Sequence, residues 1–174
     1  MMGVAFVRVR LAVVLLCAAF AVAPAAAQQA TPAGMDSLLQ KLVGNWRMAG
    51  MVRGHPAMYH LDATRVLQGR FVELHMEDAA VPPQYEARVF IGVDSAGPRY
   101  LVHWLDSFGA AFSIPHAVGQ AAGDTIQFTF AYADGPFRDT FVYEPRQDSW
   151  RFRLESGDST GAWQLFADYL VQRR

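Results

Sequence analysis

"KLVGNWRMAG", residues 41–50, is where the chain changes its period. Upstream, Met35, Leu38, Leu39, Leu42 and Val43 recur at helical spacing, and Asp36 or Ser37 is placed to cap the start. Downstream, apolar and polar residues alternate, which is the pattern of a half-buried strand. The spacing therefore predicts a helix over 35–43, ended by Gly44 in a left-handed turn, with Trp46 opening the first strand.

Alternation then persists to the C-terminus. Candidate strands cover 45–53, 58–67, 70–77, 84–93, 98–106, 109–117, 124–132, 137–144, 149–155 and 162–171. Turn signals such as Gly54-His55-Pro56, Gln68-Gly69, Asp94-Ser95-Ala96-Gly97 and Ala133-Asp134-Gly135 separate them. Evenly spaced short strands with almost no helix predict an all-β fold. Strands in sequence-neighbour order favour a single antiparallel up-and-down barrel of about ten strands, because closure removes exposed edges. The short N-terminal helix would close one end.

Period two also assigns faces. Ile126, Phe128, Phe130 and Tyr132 share one side of their strand, Phe137, Phe141 and Tyr143 one side of the next, and Trp150, Phe152 and Leu154 one side of the third. The opposite sides carry Arg138, Thr140, Glu144, Arg151, Arg153 and Glu155. The interior is aromatic and the skin is charged.

Before residue 28 the chain reads as a targeting device. Arg8 and Arg10 precede the apolar run "LAVVLLCAAFAVA" (11–23), and the small residues Ala25–Ala27 offer a cleavage site. The reading is a signal peptide over 1–27, a flexible leader over 28–34 and a barrel domain over 35–174, periplasmic or secreted, with no transmembrane segment after cleavage. Cleavage takes two of the 15 basic residues, leaving a net charge of −3 against 16 acids. The remaining basic residues are scattered, which excludes a nucleic-acid partner. Cys17 is the only cysteine and leaves with the signal, so the domain rests on core packing and not on a disulfide.

Two clusters contain reactive residue types. With Gln68-Gly69 as a turn, His60 pairs with Glu77 and Asp62 with His75, all on one face with opposed Cβ atoms about 5 Å apart. Those four are metal-ligand types. The other face of this hairpin, however, carries Tyr59, Leu61, Val72, Leu74 and Met76, so the polar face belongs to solvent and no metal is expected. In "HWLDSFG" (103–109), His103 and Asp106 point to opposite sides of one strand and cannot work as base and orienter. No nucleophile elbow, Walker loop or dinucleotide fingerprint is present.

The stretches "LVGNWRMAG", "LQGRFVELHM", "YEARVFIGVDSAGPRYLVHWLDSFG", "DTIQFTFAYADGPFRDTFVY" and "WQLFADYLVQRR" resemble the bacterial, often exported domain-of-unknown-function family 1579 over residues 36–174. The sharpest pieces are Gly44-x-Trp46, Gly69-Arg70-Phe71, Gly92-x-Asp94 and Trp104-x-Asp106. The resemblance implies a calycin-like barrel, similar to lipocalins, fatty-acid-binding proteins and nitrobindins. It implies structural roles for Gly44, Trp46, Gly69, Gly92, Asp94 and Asp106, and no particular activity. Nitrobindin-like barrels hold haem through a late histidine; here no histidine follows His116, and only Tyr169 of the closing strand is a candidate axial ligand, so no cofactor is expected. Lipocalins cover the indole of Gly-x-Trp with a late arginine, for which Arg151 and Arg153 are the candidates.

The leading functional expectation is an exported barrel that binds a small apolar or aromatic ligand inside, since a ten-stranded barrel is wider than its side chains need fill. Phe128, Phe130, Phe141, Trp150 and Phe152 are the candidate apolar walls, and Arg88, Tyr100 and Trp104 the candidate polar or stacking contacts. The alternatives are a structural or interaction barrel with a solid core, and a small enzyme using a buried acid or histidine such as Asp106 or His103.

Overall fold

A computed structural model describes residues 36–94, 99–113 and 116–174. The expected signal segment, the leader, Met35 and Ser95–Gly97 of one expected turn lie outside the described residues.

Helix α1 spans Ser37–Leu42, and the Asp36 carboxylate caps it by accepting from the Leu38 and Leu39 amides at 2.7 and 3.3 Å. Ten strands follow: β1 Gly44–Val52, β2 His55–Val66, β3 Phe71–Asp78, β4 Glu86–Asp94, β5 Arg99–Asp106, β6 Ala117–Ala122, β7 Thr125–Tyr132, β8 Gly135–Glu144, β9 Ser149–Gly157 and β10 Trp163–Arg173. Each pairs antiparallel with its sequence neighbours, and β1 pairs β10 to close the barrel. The expected all-β, ten-stranded, up-and-down architecture is the one observed. Among the described residues no helix is long and apolar enough to cross a membrane.

The β2–β3 register follows the turn chemistry. His60 faces Glu77, Asp62 faces His75 and Thr64 faces Glu73, across a connection centred on Gln68 and Gly69. Leu61, Val72, Leu74 and Met76 of this hairpin are buried.

One expected strand is misplaced. Residues 110–112 form a 3-10 turn, and β6 begins only at Ala117. "GAAFS" (109–113) lacks period-two alternation and β-branched residues, and Gly109 takes φ +88°. Phe112 consequently stands 65% exposed instead of lying inside a strand.

The helix also ends differently from expectation. Val43 is its C-cap, in an extended conformation, and Gly44 begins β1 with φ +142°. The positive φ favours glycine there, and a Cβ would also displace the Arg173 guanidinium from its place. A Cβ on Gly92 would likewise run into the Phe71 ring. Asp94 ends β4 paired to Arg99 at 2.6 Å.

Alternating strands give the barrel two ends of opposite character. At the end where β1 starts, Leu38, Leu39 and Leu42 of α1 pack into a buried cluster with Trp46, Leu61, Leu74, Ile91, Phe141 and Trp150. Phe141 stacks on Phe152 at 3.9 Å between centroids and meets Trp150 edge-on at 6.3 Å. Buried side chains fill the half of the barrel next to the helix.

Candidate functional site

The opposite half is hollow. A cavity of about 520 Å³ occupies it, within the range of small-molecule sites. The strand directions explain its position. The residues that line it lie near the β1 and β3 C-termini (Val52, Met76), the β5 and β7 C-termini (Trp104, Asp106, Tyr132) and the β8 and β10 N-termini (Phe137, Phe166). All of these strand ends lie away from α1.

Most of the wall is aromatic. Tyr59, Tyr85, Trp104, Phe130, Tyr132, Phe137, Phe152, Phe166 and Tyr169 line it together with Met48, Val52, Met76 and Leu154. Phe130 meets Trp104 edge-on at 6.1 Å and stacks against Tyr132 at 6.1 Å. Phe108 and Phe112, 67% and 65% exposed, stand at the rim and touch Tyr85 through Phe108 at 5.4 Å. Phe166 enters through a β-bulge. The β10 register shifts between Leu165 and Ala167, so Phe166 turns inward although the residues that alternate inward on this strand are Ala167, Tyr169 and Val171.

Two polar groupings interrupt the apolar wall. On one side, Trp104 Nε1 donates to the Tyr85 hydroxyl at 3.3 Å, and that hydroxyl donates to Asp106 Oδ2 at 3.3 Å. Asp106 Oδ1 accepts the Phe108 amide at 3.1 Å, which fixes the turn after β5. Burial, reinforced by the Asp106 charge, pushes the Tyr85 hydroxyl far above its ordinary pKa. Tyr169, bonded to Tyr59, is raised by burial in the same way. Both phenols remain protonated.

On the other side stands Asp139 of β8. It is 1% exposed, it lines the cavity, and its Oδ1 has no hydrogen-bond partner. Burial alone pushes its carboxyl well above the ordinary carboxylate range, since an ion in an apolar wall loses its hydration. Asp139 faces Phe128 on β7 and Leu154 on β9. Among the described residues no lysine, arginine or histidine lines the cavity.

Of the residues expected from sequence to contact a ligand, Trp104, Phe130 and Phe152 line the cavity. Phe128, Phe141 and Trp150 belong to the buried core outside it, and Tyr100 is buried beside Asp36, at the helix end. Arg88 is on the outer surface, bonded to Glu73 at 2.6 Å beside a groove of about 240 Å³. Alternation states which way a side chain points and not how far along the barrel it lies. Asp139 was passed over because the inward series Phe137, Phe141, Tyr143 was read through its apolar members, although parity places Asp139 among them.

The hairpin polar face is outside, as its pattern required. His75 Nε2 contacts Glu86 at 2.8 Å and Asp62 accepts from Arg174 at 3.0 Å, so these two are engaged apart from each other, while His60 Nδ1 is buried without a hydrogen-bond partner. His103 is exposed on β5, while Trp104 and Asp106 face inward. The arginine over the Trp46 indole is neither Arg151 nor Arg153, which bind Asp168 on the outer surface. It is Arg173, whose guanidinium lies 3.7 Å from the ring centroid and donates to the Val43 carbonyl at 2.9 Å. β10 pairs Arg173 with Trp46 across the barrel seam, which places it there.

No protein-family model matches the chain, and no curated protein matches it in sequence. The likeness to family 1579 therefore rests on the short motifs alone. Among solved structures, the chain is similar to the crystal structure of Rv2717c from Mycobacterium tuberculosis, with a TM-score of 0.53 at 16% identity, over 80% of this chain and 99% of that one. At that identity the likeness is one of fold.

Proposed function

We propose that the protein is an exported binding barrel that holds a small, largely apolar or aromatic molecule in the hollow half of its interior. The observation that carries this reading is the aromatic-walled cavity of about 520 Å³, set against a half filled by buried side chains. The same division accounts for the solid-core alternative. The packed half supplies stability, and the open half is free of that duty. Export is supported by the basic start, apolar run and small-residue site of the first 27 residues.

The wall does not suit haem. Propionates need cations and the described wall residues include none, and burial disfavours the phenolate that Tyr169 would need to bind iron. An enzymatic reading draws on Asp139 as a buried acid. Against it, no side chain is within hydrogen-bonding reach of Oδ1 to act as nucleophile, proton relay or orienter.

Titration with the neutral dye Nile red tests the binding reading. Saturable binding at one site is expected, and Val52→Trp, at the mouth, should weaken it at least about tenfold, or 1.4 kcal/mol. Binding that is equal in Val52→Trp would place the dye elsewhere and contradict the proposal.

A further inference from the structure

The cavity has a chemical polarity that its apolar character conceals. Among the described residues its ionisable lining groups are two carboxyls and four phenols, with no base among them. Asp106 is satisfied by Tyr85 and the Phe108 amide, so it is part of the wall. Asp139 is not: it is buried, faces the cavity and leaves Oδ1 without a partner. A buried polar atom without a partner is costly, and of the four such side-chain atoms among the described residues (His60 Nδ1, Tyr100 Oη, Asp139 Oδ1 and Trp150 Nε1) only the Asp139 oxygen belongs to a residue that lines the cavity, where a ligand can supply the partner.

The geometry points to a lipophilic ammonium as the ligand: a protonated amine paired with Asp139, its apolar body held against the rings of Phe130, Phe137 and Phe152. The inference rests on the binding reading above and names the class of molecule for that site. Three features converge on it. On pairing, Asp139 gives its proton to the incoming neutral amine, and the carboxylate and ammonium so formed share a charge-assisted hydrogen bond with no lysine, arginine or histidine among the described lining residues. The rings around it offer π-faces, which attract cations and do not attract anions. Asp106 adds a second carboxyl on the same cavity, so a carboxylate ligand would meet two acids and no base. A fatty acid fits the volume and fails on charge.

Calorimetric titration with 4-phenylbutylamine, 4-phenylbutan-1-ol and 4-phenylbutanoate tests this, because the three share one apolar body. The amine should bind most tightly, by at least about tenfold over the alcohol, with the carboxylate weakest. Asp139→Asn should shrink the advantage of the amine over the alcohol from at least about tenfold to less than about twofold. Alcohol or carboxylate binding as tight as the amine would overturn the ammonium inference and leave the binding reading intact. Failure of all three to bind would overturn the binding reading, and the inference with it. The comparison on the native protein decides between these outcomes even where Asp139→Asn folds poorly.

Discussion

Trp46 is fully buried, its Nε1 donates to the Leu42 carbonyl at 2.6 Å, and the Arg173 guanidinium covers its ring. One side chain thus joins helix, first strand and last strand. Truncation to alanine should cost about 3–5 kcal/mol in urea unfolding, the range for a large buried aromatic. Because Trp46 lies outside the cavity wall, ligand affinity in the folded variant should be unchanged. Asp139 behaves oppositely, since it opposes folding at neutral pH. Its pKa is raised in the folded protein by burial, so the native state holds its proton where the unfolded chain has lost it. Its contribution is therefore intact below the ordinary carboxylate pKa and is lost as pH rises toward the raised value. Tyr132 and Tyr169 feel the Asp139 charge, and both stay protonated across that window. Asp139→Asn should match the native protein most closely near about pH 4 and become relatively more stable as pH increases. Thermal melts of both proteins at several pH values check this, and a difference that does not change with pH would contradict it.

The elements show where sequence reading is strong and where it fails. Helix α1 is a six-residue segment held by its cap and three leucines. Asp36→Ala should cost about 1 kcal/mol through the lost cap, and Leu42→Ala about 2–5 kcal/mol through the cavity it leaves, both read from urea unfolding. Hairpin β2–β3 was legible to the register, because a two-residue turn signal and period two leave one pairing consistent with an apolar inner face. The segment 109–117 was not legible, because Phe112 and Ile114, two residues apart, resemble strand alternation although residues 109–111 carry none. Phe166 was hidden by the bulge, an insertion that reverses parity without any marker residue such as glycine. Arg173 had a marker that went unread. It continues the inward series Ala167, Tyr169, Val171, whereas Arg151 and Arg153 alternate outward with Trp150 and Phe152 inside.

At the scale of the whole molecule, the barrel divides its labour by depth. Its helix-capped half carries the buried rings of Trp46, Phe141 and Trp150, while the other half encloses the cavity. Amides of the strand segments beside α1 should accordingly exchange more slowly than those around Phe108, Phe112 and the other strand ends, by hydrogen exchange under native conditions. Depth is the property that period two cannot encode, since it depends on which ends of ten strands meet the helix. That is why the container was readable and its contents were only partly so. Phe130 and Phe152 line the cavity as their inward parity allowed, Trp104 comes from a strand whose two faces are both partly apolar, and Asp139 required the fold to show an acid with no partner at the cavity wall. The central claim is that the hollow half holds a small molecule. Native mass spectrometry of the protein purified from its own host tests it most directly. One non-covalent adduct of small-molecule mass, absent from Val52→Trp, is the predicted result. The bare protein mass under conditions that preserve non-covalent complexes, or an adduct retained equally by Val52→Trp, would contradict the account.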